Sequence, residues 1–127
     1  MANNTLLRAK FEQLFSILTF YSRSKNILFI TFRFLVTAEE QNKLYQQGRT
    51  MPGKIITNCD GYKKVSAHQK GLAKDIVIVD STGKLIWDHV PEYDILGELW
   101  DQTGGKWGGR WFKEGKTKFD DCYHFEA

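Results

Sequence analysis

The run Ile76-Val77-Ile78-Val79, bracketed by Asp75 and Asp80, constrains the fold more than any other stretch of this chain. Four consecutive β-branched residues disfavour helix, and a short apolar run between turn-forming residues is the pattern of a strand covered on both faces. "STGK" and then "LIW" follow it, so the strand is expected to turn back as a hairpin. A strand buried on both faces needs other elements to cover it, and the rest of the sequence must supply them.

Residues 4–23 place Leu7, Phe11, Leu14, Phe15 and Leu18 at steps of three and four, with Arg8, Lys10, Glu12 and Gln13 between them. That spacing predicts an amphipathic helix. "ILFITFRF" is dense in strand formers, with Leu28, Ile30, Phe32 and Phe34 on an apolar face expected to be buried and Thr31 and Arg33 on the other. In "TAEEQNKLYQQG", Thr37 is placed to cap a short helix, with Glu40 three residues on and Gly48 as its stop. From Arg49 to Gly71 the chain is rich in Gly, Lys, Asn and Ser, and a connection this long is more often functional than passive. Pro91 opens a helix over 91–103 whose Ile95, Leu96, Leu99 and Trp100 share a face, and the glycine- and aromatic-rich tail closes on a strand around "YHFE". Helix, strand, helix, hairpin, helix, strand, without regular alternation, predicts an α+β fold: a small, mainly antiparallel sheet with helices packed on it.

A length of 127 residues suits one domain spanning 1–127, and 42% hydrophobic residues place it among globular chains. The net charge of +3 is dispersed, and basic residues interspersed with acidic ones form no nucleic-acid module, so no nucleic-acid partner is expected. Cys59 and Cys122 show no metal-type spacing and are expected as free thiols in a reducing compartment. "MANNTLLRAKFEQLF" lacks the features of a secretory signal, and "ILFITFRFLV" is too short to cross a bilayer and contains Arg33. The expectation is a monomer, cytoplasmic when synthesised, with no stable membrane association.

The chemistry centres on "SAHQKGLAKD", where His68 lies in a glycine-containing loop and Asp75 begins the buried strand. A strand edge fixes the carboxylate while the loop folds back, so both can approach one ion, Gly71 supplying backbone freedom. His124, in the last strand, is the best third ligand, and Asp121, three residues before it, fits a proton-transfer role if "DDCY" makes a tight turn. On the residues alone, satisfied core or surface side chains remain the favoured reading of this set.

The wider string changes that reading. "SAHQKGLAKD" and "DCYHFE" resemble the S-x-H-x-x-G-x-A-x-D and D-x-x-H-F patterns of the zinc peptidases that cut peptidoglycan stems. That family contains D-alanyl-D-alanine carboxypeptidases, vancomycin-resistance dipeptidases and the L-alanyl-D-glutamate endopeptidases of phage endolysins. "EEQNKLYQQGRTMPGKIITNCDGYKKVSAHQ" and "WGGRW" look like the endolysin branch, so the likeness runs from about Arg33 to Glu126. It implies a hedgehog/D-Ala-D-Ala-peptidase-like fold, zinc held by His68, Asp75 and His124, and Asp121 as catalytic base. It further implies Arg49, in "QGRT", as an oxyanion-stabilising residue that also binds substrate, and Ser66 as a substrate contact. The substrate would be the peptidoglycan stem peptide, cut between L-alanine and D-glutamate after release from the cell as a phage endolysin is released. An aspartate base leans toward that bond; a D-alanyl-D-alanine carboxypeptidase and a non-catalytic wall-binding module are the alternatives. With the chain ending just after "HFEA", wall binding and catalysis would share one surface.

Several residues stand beside this set. Trp107 and Trp111 are candidates to wall a substrate groove, Trp107 being assigned as substrate-binding. His89 is read as a turn residue and only secondarily as a ligand, and Cys122 as a packing residue. Arg110, in "WGGRW", and Lys74, beside Asp75, depart from the family's usual residues and leave local bonding and preference open.

Overall fold

The computed structural model describes residues 4–127; the first three residues of the stretch read for a leader lie outside that range. Helix α1 (Thr5–Ser24) is followed by β1 (Leu28–Arg33), α2 (Ala38–Gln46), β2 (Ala73–Val79), β3 (Leu85–Ile86), α3 (Pro91–Gln102), β4 (Lys106–Trp107), α4 (Gly108–Lys113) and β5 (His124–Glu126). The sheet runs β1-β2-β5-β4 with β3 also on β2, and every named pairing is antiparallel. The expected α+β architecture is what forms.

β2 is the central strand because its sequence can be covered on both sides. Ile76 and Ile78 point into the core beneath α1 and α3, while Asp75 and Val77 face the opposite side. α1 contributes Phe11, Phe15 and Leu18 to the core, with Phe11 edge-on to Trp100 of α3 at 5.9 Å. Leu7, expected on that face, is exposed; packing begins one turn later, at Phe11. In α3 Leu96 and Trp100 are buried as expected and Leu99 packs at the edge of the core, but Ile95 is exposed, and the buried face is completed by Tyr93 and by Gly97, against which the Trp107 ring lies. A Cβ at Gly97 would sit 2.1 Å from that ring, so only glycine permits the contact.

α2 begins as its sequence dictates. The Thr37 side chain accepts from Glu40 N at 3.1 Å, and Glu40 Oε1 accepts from Thr37 N at 2.9 Å. Gly48, just past the helix, takes φ +81°.

β1 departs from expectation. Leu28, Ile30 and Phe32 lie on an exposed face, and Phe29 is the side chain that reaches the core, edge-on to Phe15 at 6.0 Å. The apolar alternation is present, but on this edge strand it faces outward and not toward the core. A bulge then breaks the register: Thr31 pairs with Ile76, yet Arg33 pairs with Asp75. The extra residue turns Arg33 onto the Asp75 face, which strict alternation denied it. Among the described residues, no helix is long and apolar enough to cross a membrane.

Candidate metal centre

His68 sits in a turn built by its neighbours. Ser66 N donates to Gln69 Oε1 at 2.9 Å while Gln69 N donates to Ser66 Oγ at 3.3 Å, and Gly71 at φ +70° lets Leu72 N return to Ala67 O at 2.9 Å. The buried Gln41 of α2 ties the preceding segment down by donating to Cys59 O at 3.0 Å. His124 starts β5 directly opposite Asp75. Three ligand-type side chains, 7 and 49 residues apart in sequence, therefore meet: Asp75 Oδ1 lies 3.1 Å from His68 Nε2 and 3.2 Å from His124 Nδ1. All three ligand atoms lie within 4.8 Å of one another, and all three residues are buried.

The outer partners of the imidazoles test whether this set suits a cation. His68 Nδ1 lies 2.9 Å from Phe34 O, a carbonyl that can only accept, so Nδ1 carries the proton. His124 Nε2 lies 2.8 Å from Glu126 Oε1 and is protonated for the same reason. In neutral rings the inward nitrogens, His68 Nε2 and His124 Nδ1, then present lone pairs to the oxygen of Asp75. Three acceptors converging on one point repel unless protons or a cation stand among them. Two oriented imidazoles and a carboxylate are a donor set for zinc and related divalent ions, and the outer hydrogen bonds are those that fix such ligands.

The electrostatics agree. Burial alone would raise the Asp75 pKa, but hydrogen bonds from His124 and His68, and their charges, hold it below the usual carboxylate range. For His124 burial opposes the charged form, yet its bonds to Asp75 and Glu126 outweigh burial and raise its pKa.

Asp121 stands at the rim. Its Oδ2 is 4.0 Å from His124 Nδ1, and its carbonyl accepts from His124 N at 3.1 Å, closing the tight turn that the spacing required. Gly108 explains part of "WGGRW": a Cβ there would meet Asp121 O at 2.3 Å and His124 Cβ at 3.1 Å. Burial pushes the Asp121 carboxyl up to about 6, with His124 pulling it down and Asp75 adding to the rise.

These groups open into a cleft of about 440 Å³ whose walls include Ser66, Lys64, Trp87, Trp111 and Tyr123. Trp111, anticipated as a wall, lies 5.5 Å ring to ring from His124. Trp107 corrects the expectation: it is 0% exposed, donating from Nε1 to Cys122 O at 2.8 Å, and so is a core residue under the Asp121 turn and not a substrate wall. Arg49 also differs, because its guanidinium stacks 3.7 Å over Tyr45 and donates to Tyr45 O and Thr57 O, stapling its own loop outside the cleft wall. The arginine at the cluster is Arg33, whose Nη1 donates to Asp75 Oδ2 at 3.0 Å. A lone charge in an aromatic strand was the signal for it, and the bulge hid its direction. Glu126 was also missed, though two residues after His124 on one strand is the same-face position.

Both departures from family pattern lie off the cluster. Arg110 pairs with Asp101 at 3.0 Å and Glu98 at 3.3 Å, stapling α4 to α3. Lys74 faces the core side, its amine 4.3 Å over Phe15 and 3.3 Å from Glu12. Cys59 and Cys122 are both free, and Cys122 is buried in packing as expected.

Comparison with known proteins points the same way. The model of the D-alanyl-D-alanine carboxypeptidase family matches residues 60–127, more than half the chain. The peptidoglycan L-alanyl-D-glutamate endopeptidase CwlK of Bacillus subtilis is 36% identical over 98 residues, covering 69% of this chain and 53% of that protein. This chain thus spans about half the length of that relative. Among solved structures, the L-Ala D-Glu endopeptidase ChiX of Serratia marcescens superposes with TM-score 0.63 at 18% identity, covering 94% of this chain and 78% of that one. The vancomycin-resistance D,D-pentapeptidase VanY, solved as a mutant in complex with Zn(II), gives 0.65 at 19% identity, covering 93% and 70%. At these identities the structural likeness speaks for the fold.

Proposed function

The chain belongs to the D-alanyl-D-alanine carboxypeptidase family of peptidases, and from that premise we propose that residues 1–127 are one catalytic domain, a zinc hydrolase cutting an amide in the peptidoglycan stem. The scissile bond we favour is L-alanyl-D-glutamate, the bond in the name of the 36%-identical relative. The observation that carries the reading is the convergence of His68 Nε2, His124 Nδ1 and Asp75 Oδ1 beside a rim carboxylate in an open cleft.

Zinc held by His68, Asp75 and His124 would supply Lewis acidity and an acidified water. The protein's own groups do the remainder. Asp121 takes a proton from the attacking water and returns it to the departing nitrogen, a task for which a carboxyl raised toward neutrality is suited. Glu126 and the Phe34 carbonyl keep the imidazoles in the tautomers that turn lone pairs inward. Arg33 takes the role that sequence reasoning gave to Arg49. It neutralises the second oxygen of Asp75 and presents its guanidinium to the cleft, where a substrate carbonyl or carboxylate would lie. Ser66 borders the same space. The partner we propose is the wall polymer, the substrate class in the name of the 36%-identical relative, reached by a monomer released from the cytoplasm after cell damage.

Digestion of purified peptidoglycan followed by identification of the new amino termini tests this. New D-glutamate amino termini are expected. Release of D-alanine alone would replace the endopeptidase by a D,D-carboxypeptidase, and no product at all with metal bound would leave a wall-binding module.

A further inference from the structure

His89 lies outside the cluster, yet it is bound to the residue next to the proposed base. Its Nδ1 is 2.6 Å from Asp120 Oδ2 and its Nε2 is 3.0 Å from Asp94 Oδ1. Carboxylate oxygens at this distance from a ring nitrogen accept, so both bonds exist together only when the ring carries both protons. The groups facing the ring are Asp94 and Tyr93 of α3, Lys113 of α4 through its 2.5 Å pair with Asp94, Trp107 of β4, and Asp120 and Cys122 of the site segment. The other oxygen of Asp120 is buried with no hydrogen-bond partner, so His89 is the one cation paired with that carboxylate among the described residues.

The turn that carries Asp121 is held elsewhere by contacts that do not titrate near neutrality. Trp107 Nε1 holds the Cys122 carbonyl, and the backbone of Gly108 underlies Asp121 O. The geometry points to His89, as an imidazolium, being a positioning residue for the proposed base: it locks Asp120 to α3 and thereby fixes the peptide from which Asp121 reaches the cluster. This rests on the reading of Asp121 given above. Burial opposes the charged ring, but the bonds to Asp120 and Asp94 outweigh it and raise its pKa above the ordinary 6.5. With a raised folded-state value, the clamp is complete below about pH 6.5 and is lost as pH rises through the folded pKa.

Two readouts test it. Side-chain NMR of the full chain should show His89 titrating above 6.5 and moving down in Asp120→Asn; a value at or below 6.5, or one indifferent to Asp120→Asn, would overturn the proposal. On a stem peptide, His89→Gln should lower kcat about tenfold at neutral pH with KM little changed. His89→Arg, a permanent fork-shaped cation, should restore the rate and hold it at alkaline pH where wild type declines. A wild-type rate and profile in His89→Gln would contradict the clamp. If His89→Gln does not fold, Asp120→Asn replaces it in the kinetic test. If wild type cuts no stem peptide, the proposed function fails, while the His89 pKa and the amide shifts of 120–124 in Asp120→Asn still decide for or against the clamp.

Discussion

Asp75 carries the electrostatic centre of the molecule: one of its oxygens faces His68 and His124 and the other faces Arg33. Each group therefore has a separable signature. Asp121→Asn keeps the shape of the rim and removes the proton carrier, so hydrolysis should fall about 10²–10⁴-fold while bound zinc, measured by elemental analysis, is unchanged. Because Asp121 must be ionised to accept a proton, activity should fall as pH drops through its pKa. Burial sets that value near 6 in the metal-free protein, and a neighbouring cation would lower it, so the acid limb should lie at or below pH 6. Arg33→Ala should cost about 10²–10³-fold in kcat/KM, whereas Arg49→Ala should leave kcat/KM nearly unchanged; steady-state kinetics of the pair separates the two arginines. His68, Asp75 and Asp121 were legible in sequence, as was His124, because a resemblance tied them together. Arg33 was not, because its side was decided by a bulge that no alternation pattern reveals.

At the scale of elements, the local rules were the reliable ones. The α2 capping box, the β2 run and the proline start of α3 follow from neighbours within four residues, and all formed as expected. What failed was which side an element shows to the rest. Leu28, Ile30 and Phe32 alternate as a strand should, but whether that face meets core or solvent depends on where α1 docks, a non-local fact. The tail shows the reverse: a glycine-rich stretch is a rigid seat, since Gly105, Gly108 and Gly109 each admit a ring or a backbone that a Cβ would collide with. Gly108→Ala should push the Asp121–His124 turn outward, weakening zinc affinity and destabilising the fold by about 1–3 kcal/mol in denaturant titration. Gly83→Ala meets no neighbouring atom, so its smaller cost, set by φ +90° alone, is the internal control.

Across the whole molecule, the site is an agreement between distant parts: a turn after the long loop, the central strand and the last strand meet only once the sheet has formed. Anything that binds this junction in the folded state alone must stabilise the fold. Zinc at 100-fold over its Kd should add about 2.7 kcal/mol, or roughly 10 °C in Tm for a chain of this size, reversed by chelator. Protons and metal compete for His124, so zinc affinity should weaken as pH falls, with proton release seen as a buffer-dependent binding enthalpy. Anomalous diffraction from zinc-loaded crystals tests the central claim most directly. One peak among His68 Nε2, Asp75 Oδ1 and His124 Nδ1, with Asp121 beside it, is the expected map; zinc absent there, or seated instead at His89 and Asp120, would contradict the account.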